Sequence, residues 1–180
     1  MVYIILGDGF EEIEAIAPCD ILRRGGIETA FAAVGDSKIV TGGHGISVRA
    51  DILTAEIVPD KADTFVVPGG MGGVNSIKAD SITMSLIALA AEKGASLAAI
   101  CAGPSVLAEL GLLEGRRITC YPGSEKLMHG ALCQKNSRIV NDDGLITGQA
   151  PGAAIDFGLG LLARLKDEKT AEKLRMDLVY

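Results

Sequence analysis

Short apolar runs alternate with segments of helical periodicity along most of the chain. Apolar residues spaced three and four positions apart predict a helix from Ile13 to Leu22, ended by Gly25, and another over Ser81–Lys93. The apolar runs are brief and end at turn-forming residues, which predicts buried β-strands. These runs are Val2–Leu6, Glu28–Val34, Phe65–Val67 and Ser96–Ile100.

The rest of the chain continues the pattern with shorter elements. Ile39–Arg49 is predicted to form a hairpin-like excursion, and Ile118–Cys120 a strand. A second hairpin is expected around Asp143 and Gly144, with helices over Pro151–Leu165 and Lys169–Leu178. Apolar strands that alternate with helices predict an α/β fold whose mostly parallel sheet is covered on both faces.

Composition indicates a globular protein with a real core. Of the 180 residues, 48% are hydrophobic and 22% charged, and no linker or repeat divides the chain. We therefore expect one domain over residues 1–180. The net charge of −6 and the lack of a basic stripe argue against a nucleic-acid partner.

Targeting signals and cysteine spacing bear on the compartment. The first apolar run ends at Gly7, well short of the ~20 residues that a membrane span needs, so no membrane partner is expected. The four cysteines lack C-x-x-C spacing, which favours free thiols in a cytoplasmic setting. Cys19, Cys120 and Cys133 are interpreted as small apolar filler of the core.

Three loops follow predicted strands and should meet at the carboxyl edge of the sheet, where ligands bind in such folds. The first loop begins like a dinucleotide fingerprint but has Glu12 in place of the third glycine. The second, Pro68–Gly73, either offers backbone N–H groups as an oxyanion hole or is a flexible turn. It lacks the Lys-Ser/Thr pair of a phosphate loop.

The third loop carries the candidate nucleophile, Cys101. It follows the Ser96–Ile100 strand and precedes Ala102, Gly103 and Pro104, so it resembles a nucleophile elbow. Small neighbours allow a sharp bend, and the N-terminus of the following helix is expected to lower the pKa of the thiol. A buried, inert cysteine is the alternative interpretation.

Acidic residues crowd the start of the first helix. Glu11 and Glu12 are interpreted as partners of the helix dipole. Glu14 lies between Ile13 and Ala15, where it can point toward the carboxyl edge of the sheet. A buried carboxyl group there can stay protonated and donate a hydrogen bond to a thiolate.

Several segments together resemble the DJ-one/ThiJ/PfpI superfamily, over nearly the whole chain. The most specific are Glu11–Glu14 and Ala98–Pro104; the others are Arg23–Ile27, Pro68–Gly70, Asp143–Leu145 and Pro151-Gly152. The resemblance implies a flavodoxin-like three-layer α/β/α sandwich and a homodimer. It also implies a reactive Cys101, a protonated Glu14 bonded to its sulfur, and main-chain N–H groups of Gly70 and Ala102 facing the reaction centre.

One departure from the superfamily pattern concerns the general base. Tyr121 stands where many members have a histidine near the nucleophile, and His44 and His129 are interpreted as solvated side chains. A Cys-His-acid peptidase or amidase is therefore disfavoured. With the histidines distant from the acids, no metal and no other cofactor is predicted.

Two functions remain open from the sequence. The first is a glyoxalase-type or protein-deglycase-type enzyme, a hydrolase or lyase whose Cys101 attacks a small reactive carbonyl or a glycated protein while Glu14 moves the proton. The second is a stress-responsive redox sensor or chaperone, in which Cys101 is oxidised to a sulfinate without turnover. A thiazole-phosphate role, attached by name to some relatives, lacks a phosphate-binding basic cluster.

Overall fold

A seven-stranded sheet forms the centre of the computed structural model, which describes residues 1–180 apart from the side chain of Lys61. The strands are β1 (Val2–Leu6), β2 (Thr29–Ala33), β3 (Ile39–Thr41), β4 (Ser47–Arg49), β5 (Ile52–Leu53), β6 (Thr64–Val67), β7 (Ser96–Ile100), β8 (Arg117–Ile118), β9 (Leu132–Cys133), β10 (Ile139–Asp142) and β11 (Leu145–Gly148).

Six α-helices accompany these strands in the part of the chain that the structure describes. They are α1 (Glu12–Arg24), α2 (Met71–Ala79), α3 (Ser81–Glu92), α4 (Pro104–Glu109), α5 (Ala154–Leu165) and α6 (Glu168–Asp177). Short 3-10 turns occupy Thr54–Glu56, Pro59–Lys61, Glu125–Leu127 and Pro151–Ala153. None of the described helices has the length and apolar character to cross a membrane.

The order of strands brings three loops together at one edge. The sheet runs β10-β11-β7-β6-β1-β2-β5, and only β10 is antiparallel to its neighbour. The chain leaves β1 toward β2 and later returns on the other side of β1 as β6, which makes the β1/β6 boundary a topological switch point. The loops after β1, β6 and β7 meet there, as the sequence predicts.

Helices cover both faces of this sheet. Every residue of β1 and of β6 is buried, and successive side chains of a strand point to opposite faces, so both faces are covered. The helices pack in two groups. In one group α5 packs against α1 and α6, and in the other α2 packs against α3 and α4. The predicted α/β fold with a mostly parallel sheet is confirmed.

Helix α2 corrects the interpretation of the second loop. Pro68–Gly73 was expected to be a glycine-rich loop, but α2 begins at Met71 and includes Gly72 and Gly73. A Cβ atom at Gly73 would lie 2.7 Å from the Phe10 Cα, too close for any other residue. These glycines therefore allow backbone contact between α2 and the loop after β1, whereas the glycine-rich composition of the segment suggested a turn.

Other elements also differ from the pattern-based expectation. The strand expected over Ile118–Cys120 is only the two-residue β8, and it pairs with β9 in a separate sheet. Ile13 and Ile16 belong to the apolar helical pattern of α1, yet 55% and 40% of their surface is exposed. Strand β5 was not predicted, because two residues carry no readable period.

Candidate active site

Cys101 lies at the bend between β7 and α4, in a conformation that few residues adopt. Its φ angle is +63°, in the left-handed region that favours glycine. Two hydrogen bonds fix it there: its N–H donates to the Gly148 oxygen at 3.0 Å, and its carbonyl accepts from the Tyr121 N–H at 3.0 Å. Such strain persists only where the surroundings impose it, and it occurs preferentially at functional sites.

The elbow is pressed against the loop that follows β6. A Cβ atom at Gly103 would collide with the Val67 oxygen and would lie 3.0 Å from the Pro68 oxygen. Only glycine fits at this position. The cysteine is consequently held against Gly69, the residue that follows Pro68.

Gly69 connects the cysteine to the start of α1. Its N–H donates to Glu14 Oε2 at 2.7 Å, and its carbonyl accepts from the Glu11 N–H at 3.0 Å. A Cβ atom on Gly69 would lie 2.8 Å from the Cys101 Cβ and 3.0 Å from the Ala102 N. Gly69 therefore lies between the acid and the thiol.

Glu14 is completely buried, with 0% of its surface exposed. Its N–H donates to Glu11 Oε2 at 2.8 Å, because Glu11 is the N-cap residue of α1. Its second carboxyl oxygen, Oε1, has no hydrogen-bond partner among the atoms described. The Cys101 side chain lies beside this carboxyl group, since both are close neighbours of Gly69 and each affects the pKa of the other.

Burial dominates the electrostatics of the pair. It raises the pKa of Glu14 from 4.5 to about 7, although hydrogen bonds from Cys101 and Gly69 act in the opposite direction. Burial and then the Glu14 carboxylate also raise the pKa of Cys101, against the Ala102 N–H, which lowers it. The Ala102 N–H thus acts in the expected direction, but the net pKa of the thiol is raised, because burial and an ionised Glu14 outweigh it.

The two groups behave as a coupled pair that cannot readily carry two negative charges. A carboxylate beside Cys101 disfavours the thiolate, whereas a carboxylic acid there donates a hydrogen bond that favours it. Loss of one proton from the pair can thus leave the charge on either Glu14 or Cys101. In this arrangement the thiolate forms when Glu14 holds the proton.

The other residues predicted for the site lie around this pair. The Ala102 N–H interacts with the Cys101 thiol and acts to lower its pKa. Gly70 has a φ of +83°, and a Cβ atom there would lie 2.6 Å from the Glu11 N. The structure thus brings Glu14, Cys101 and Ala102 together. It places Gly70, the N-cap residue of α2, against Glu11 at the start of α1.

Glu12 and His44 form a contact that the sequence did not reveal. The His44 N–H donates to Glu12 Oε1 at 2.7 Å, and its ring Nδ1 lies 2.8 Å from Glu12 Oε2. Burial alone would raise the pKa of Glu12, but the hydrogen bonds from His44 outweigh it and leave that pKa lowered. His44, interpreted as a solvated side chain, is exposed but hydrogen-bonded, whereas Glu12, interpreted as a partner of the helix dipole, is buried.

The contact between Glu12 and His44 also shows that one histidine lies close to the acids, whereas the prediction of no metal assumed that the histidines were distant from them. The hairpin of β3 and β4 brings His44 to Glu11 and Glu12, whose ligand atoms lie within 4.8 Å of one another. In the described part of the chain, this is the one cluster of histidine, cysteine and acidic residues with such spacing. Both Glu12 oxygens are already bonded to His44, so the cluster is explained without an ion.

Tyr121 and His129 provide no base at the thiol. Tyr121 lies beside Cys101 through its backbone, and 49% of its surface is exposed. His129 is exposed and follows the 3-10 turn Glu125–Leu127. The titratable partner that the structure gives to Cys101 is Glu14.

Fold and site define a class of parallel α/β proteins with a cysteine at a strand-to-helix elbow and a buried acid beside it. The model of the DJ-1/PfpI family matches residues 1–164, and the chain belongs to this family. Protein dj-1beta of Drosophila melanogaster is 32% identical over 98% of this chain and 95% of its own.

Two further relatives carry names that describe an activity. A protein of Pyrococcus abyssi named as a deglycase is 30% identical over 84% of this chain and 90% of its own. The glutathione-independent glyoxalase DJR-1.2 of Caenorhabditis elegans is 30% identical over 92% of this chain and 88% of its own.

Solved structures of relatives have the same fold. Drosophila melanogaster DJ-1beta superposes with a TM-score of 0.94 at 31% identity, covering 99% of this chain and 96% of its own. Toxoplasma gondii DJ-1 in oxidized form superposes with a TM-score of 0.93 at 31% identity, covering 99% and 97%.

Proposed function

We propose that this protein is a cysteine-dependent enzyme of the glyoxalase or deglycase type, which acts on small reactive carbonyls or their early protein adducts. One observation carries the proposal: the strained Cys101 lies beside the buried carboxyl group of Glu14, whose Oε1 has no hydrogen-bond partner in the described structure. The names of the deglycase and glyoxalase relatives support the same chemistry.

The geometry suggests how such a reaction proceeds with methylglyoxal. Glu14 takes the thiol proton, and the Cys101 sulfur adds to the aldehyde carbon, so that a C–S bond forms and the carbonyl electron pair moves to oxygen. Glu14 then returns the proton to that oxygen, giving a hemithioacetal. The N–H groups of Ala102 and Gly70 are assigned to the developing oxyanion.

The same carboxylate can carry out the later steps of the reaction. Glu14 removes the proton from the former aldehyde carbon and delivers it to the former ketone carbon, while the hydroxyl proton passes to the former ketone oxygen. These two proton transfers convert the hemithioacetal into a lactoyl thioester. Water then cleaves the C–S bond, releasing lactate and the Cys101 thiol. A carboxyl group with a pKa of about 7 is well suited to accept and donate protons near neutrality.

The activity is tested by lactate formation from methylglyoxal. Cys101→Ser is expected to reduce turnover to background, and Glu14→Gln is expected to reduce kcat by about 100-fold, because general acid–base catalysis contributes roughly that much. Cys19→Ser is the matched control, since Cys19 is a buried cysteine of α1. Full activity of the Cys101→Ser protein would overturn the proposal.

Redox sensing through Cys101 is the second candidate. It is favoured by the same Glu14 Oε1, because a protonated carboxyl group can donate a hydrogen bond to an oxygen of a Cys101 sulfinate. Sensing without turnover predicts a stable sulfinate in the wild-type protein and its loss in Glu14→Ala, with no lactate formed by either. Lactate formation that depends on Cys101 would show that the protein is an enzyme and not only a redox sensor.

A homodimer and a reducing compartment complete the proposal. Exposed apolar side chains lie on α1 (Ile13 and Ile16) and in the hairpin (Ile46), which contacts α1 through His44 and Glu12. Such a patch favours association with a second copy. Four free cysteines favour the cytoplasm.

A further inference from the structure

Cys120 and Cys133 lie together although thirteen positions separate them in the chain. Strands β8 and β9 pair in parallel with Ile118 opposite Cys133, and the Gln134 N–H donates to the Ile118 oxygen at 2.7 Å. Cys120 follows Ile118 by two residues, and a direct interaction between the two side chains affects the pKa of each thiol. We propose that Cys120 and Cys133 form a reversible disulfide, a redox site separate from Cys101.

The two thiols differ in access. Cys133 is half-buried, so a small oxidant can reach it, whereas Cys120 is only 6% exposed. Burial raises the pKa of both, but a hydrogen bond from Cys120 and the charge of Lys135 act to lower that of Cys133. Cys133 is therefore the thiol that ionises and reacts first, and Cys120 is the resolving thiol.

A hydroperoxide is the oxidant class that fits this arrangement. The Cys133 thiolate attacks the peroxide oxygen, so that the O–O bond breaks, an S–O bond forms and the leaving oxygen takes a proton. The Cys120 sulfur then attacks the sulfenic sulfur, forming the S–S bond and releasing water. Two thiols and one hydroperoxide thus give one disulfide, one alcohol or water, and one further water.

The pair is connected to the active site through the backbone. Tyr121, which follows Cys120, donates its N–H to the carbonyl oxygen of Cys101 at 3.0 Å. The neighbouring Thr119 N–H donates to Thr147 Oγ1 at 2.8 Å. A disulfide at Cys120 therefore restrains the segment that holds the elbow in place, while neither Cys101 nor Glu14 takes part in forming it.

Peptide mapping tests the disulfide directly, because Lys126 lies between the two cysteines. The full-length Cys101→Ser protein is treated with hydrogen peroxide, alkylated and digested with trypsin. We expect the peptides 118–126 and 127–135 to appear cross-linked. Loss of two free thiols and an intact mass lower by about 2 Da should accompany the cross-link and reverse with dithiothreitol.

Single variants separate a disulfide from independent oxidation. Cys120→Ser should abolish the cross-link and leave Cys133 to overoxidise, and Cys133→Ser should leave Cys120 reduced. Cys19→Ser, which removes a buried cysteine outside this pair, should retain the cross-link. The proposal is overturned if Cys133 is oxidised to sulfinate while no cross-link forms with Cys120 present. Because Cys101 is absent throughout, this result is independent of the proposed carbonyl chemistry.

Discussion

At the scale of single residues, the chemistry depends on one proton shared by Glu14 and Cys101. Both groups are buried, and burial opposes the charged form of each. The Gly69 N–H bonds one carboxyl oxygen, and the other has no hydrogen-bond partner among the described atoms. This arrangement explains why no histidine is needed beside Cys101: the acid itself can accept the proton.

The raised pKa of Glu14 predicts a pH dependence of stability. The folded state binds the Glu14 proton up to about pH 7, whereas the unfolded chain releases it near 4.5. The stabilisation of the folded state by this proton is therefore complete below pH 4.5 and is lost as the pH rises to 7. Relative to Glu14→Gln, the free energy of unfolding of the wild type should fall over this window by up to about 3 kcal/mol.

Urea denaturation of both proteins at several pH values measures this difference. Glu14→Gln keeps the size of the side chain and removes its titration, so it is the matched reference. A difference that stays constant between pH 4.5 and 7 would show that Glu14 ionises normally in the folded protein.

At the scale of elements, close backbone contacts position the site. Glycines at 69, 73 and 103 let three segments approach within distances that a Cβ atom would prevent. Predicting β1, β6 and β7 from sequence was straightforward, because buried parallel strands are short apolar runs with few alternatives. Helix α2 was missed because glycine signals a turn locally, whereas here it serves a tertiary contact.

Local sequence patterns also fail to predict several contacts in and around the site. The Glu14–Cys101 pair could be anticipated, because both residues follow strands that meet at one edge. The contacts of Glu12 with His44 and of Cys120 with Cys133 depend on how a hairpin folds back and how β8 and β9 pair. No local pattern in the sequence encodes these contacts.

Gly73→Ala tests the close contact against helix propensity. Alanine favours a helix by about 1 kcal/mol over glycine, so α2 alone would be stabilised. We expect destabilisation by about 1–3 kcal/mol instead, because the new methyl group overlaps Phe10 and overpacking has that magnitude. Thermal unfolding measures the change.

Gly152→Ala is the control for this prediction, since a Cβ atom there meets no described atom within 4 Å. Its stability should change by no more than about 0.5 kcal/mol. A Gly73→Ala protein as stable as the Gly152→Ala protein would contradict the packing described for α2.

At the scale of the whole molecule, the exposed apolar patch on α1 and the hairpin predicts a dimer. The wild type should sediment at twice the mass of the 18.6 kDa chain. Ile13→Glu combined with Ile46→Glu should give a monomer, because charges on a buried interface are strongly unfavourable. Ile82→Glu on α3 is the control, since Ile82 is 57% exposed outside the patch. A double variant that remains dimeric would place the interface elsewhere.

The pH dependence of Cys101 alkylation by iodoacetamide, followed on the tryptic peptide 94–116, tests the shared proton most directly. In the wild type, the rate should rise to a plateau near neutrality, when the pair loses its first proton, and rise again at alkaline pH, when the second leaves. Glu14→Gln should show a single rise with no plateau. Identical single-step profiles for both proteins would contradict the coupling of Glu14 to Cys101.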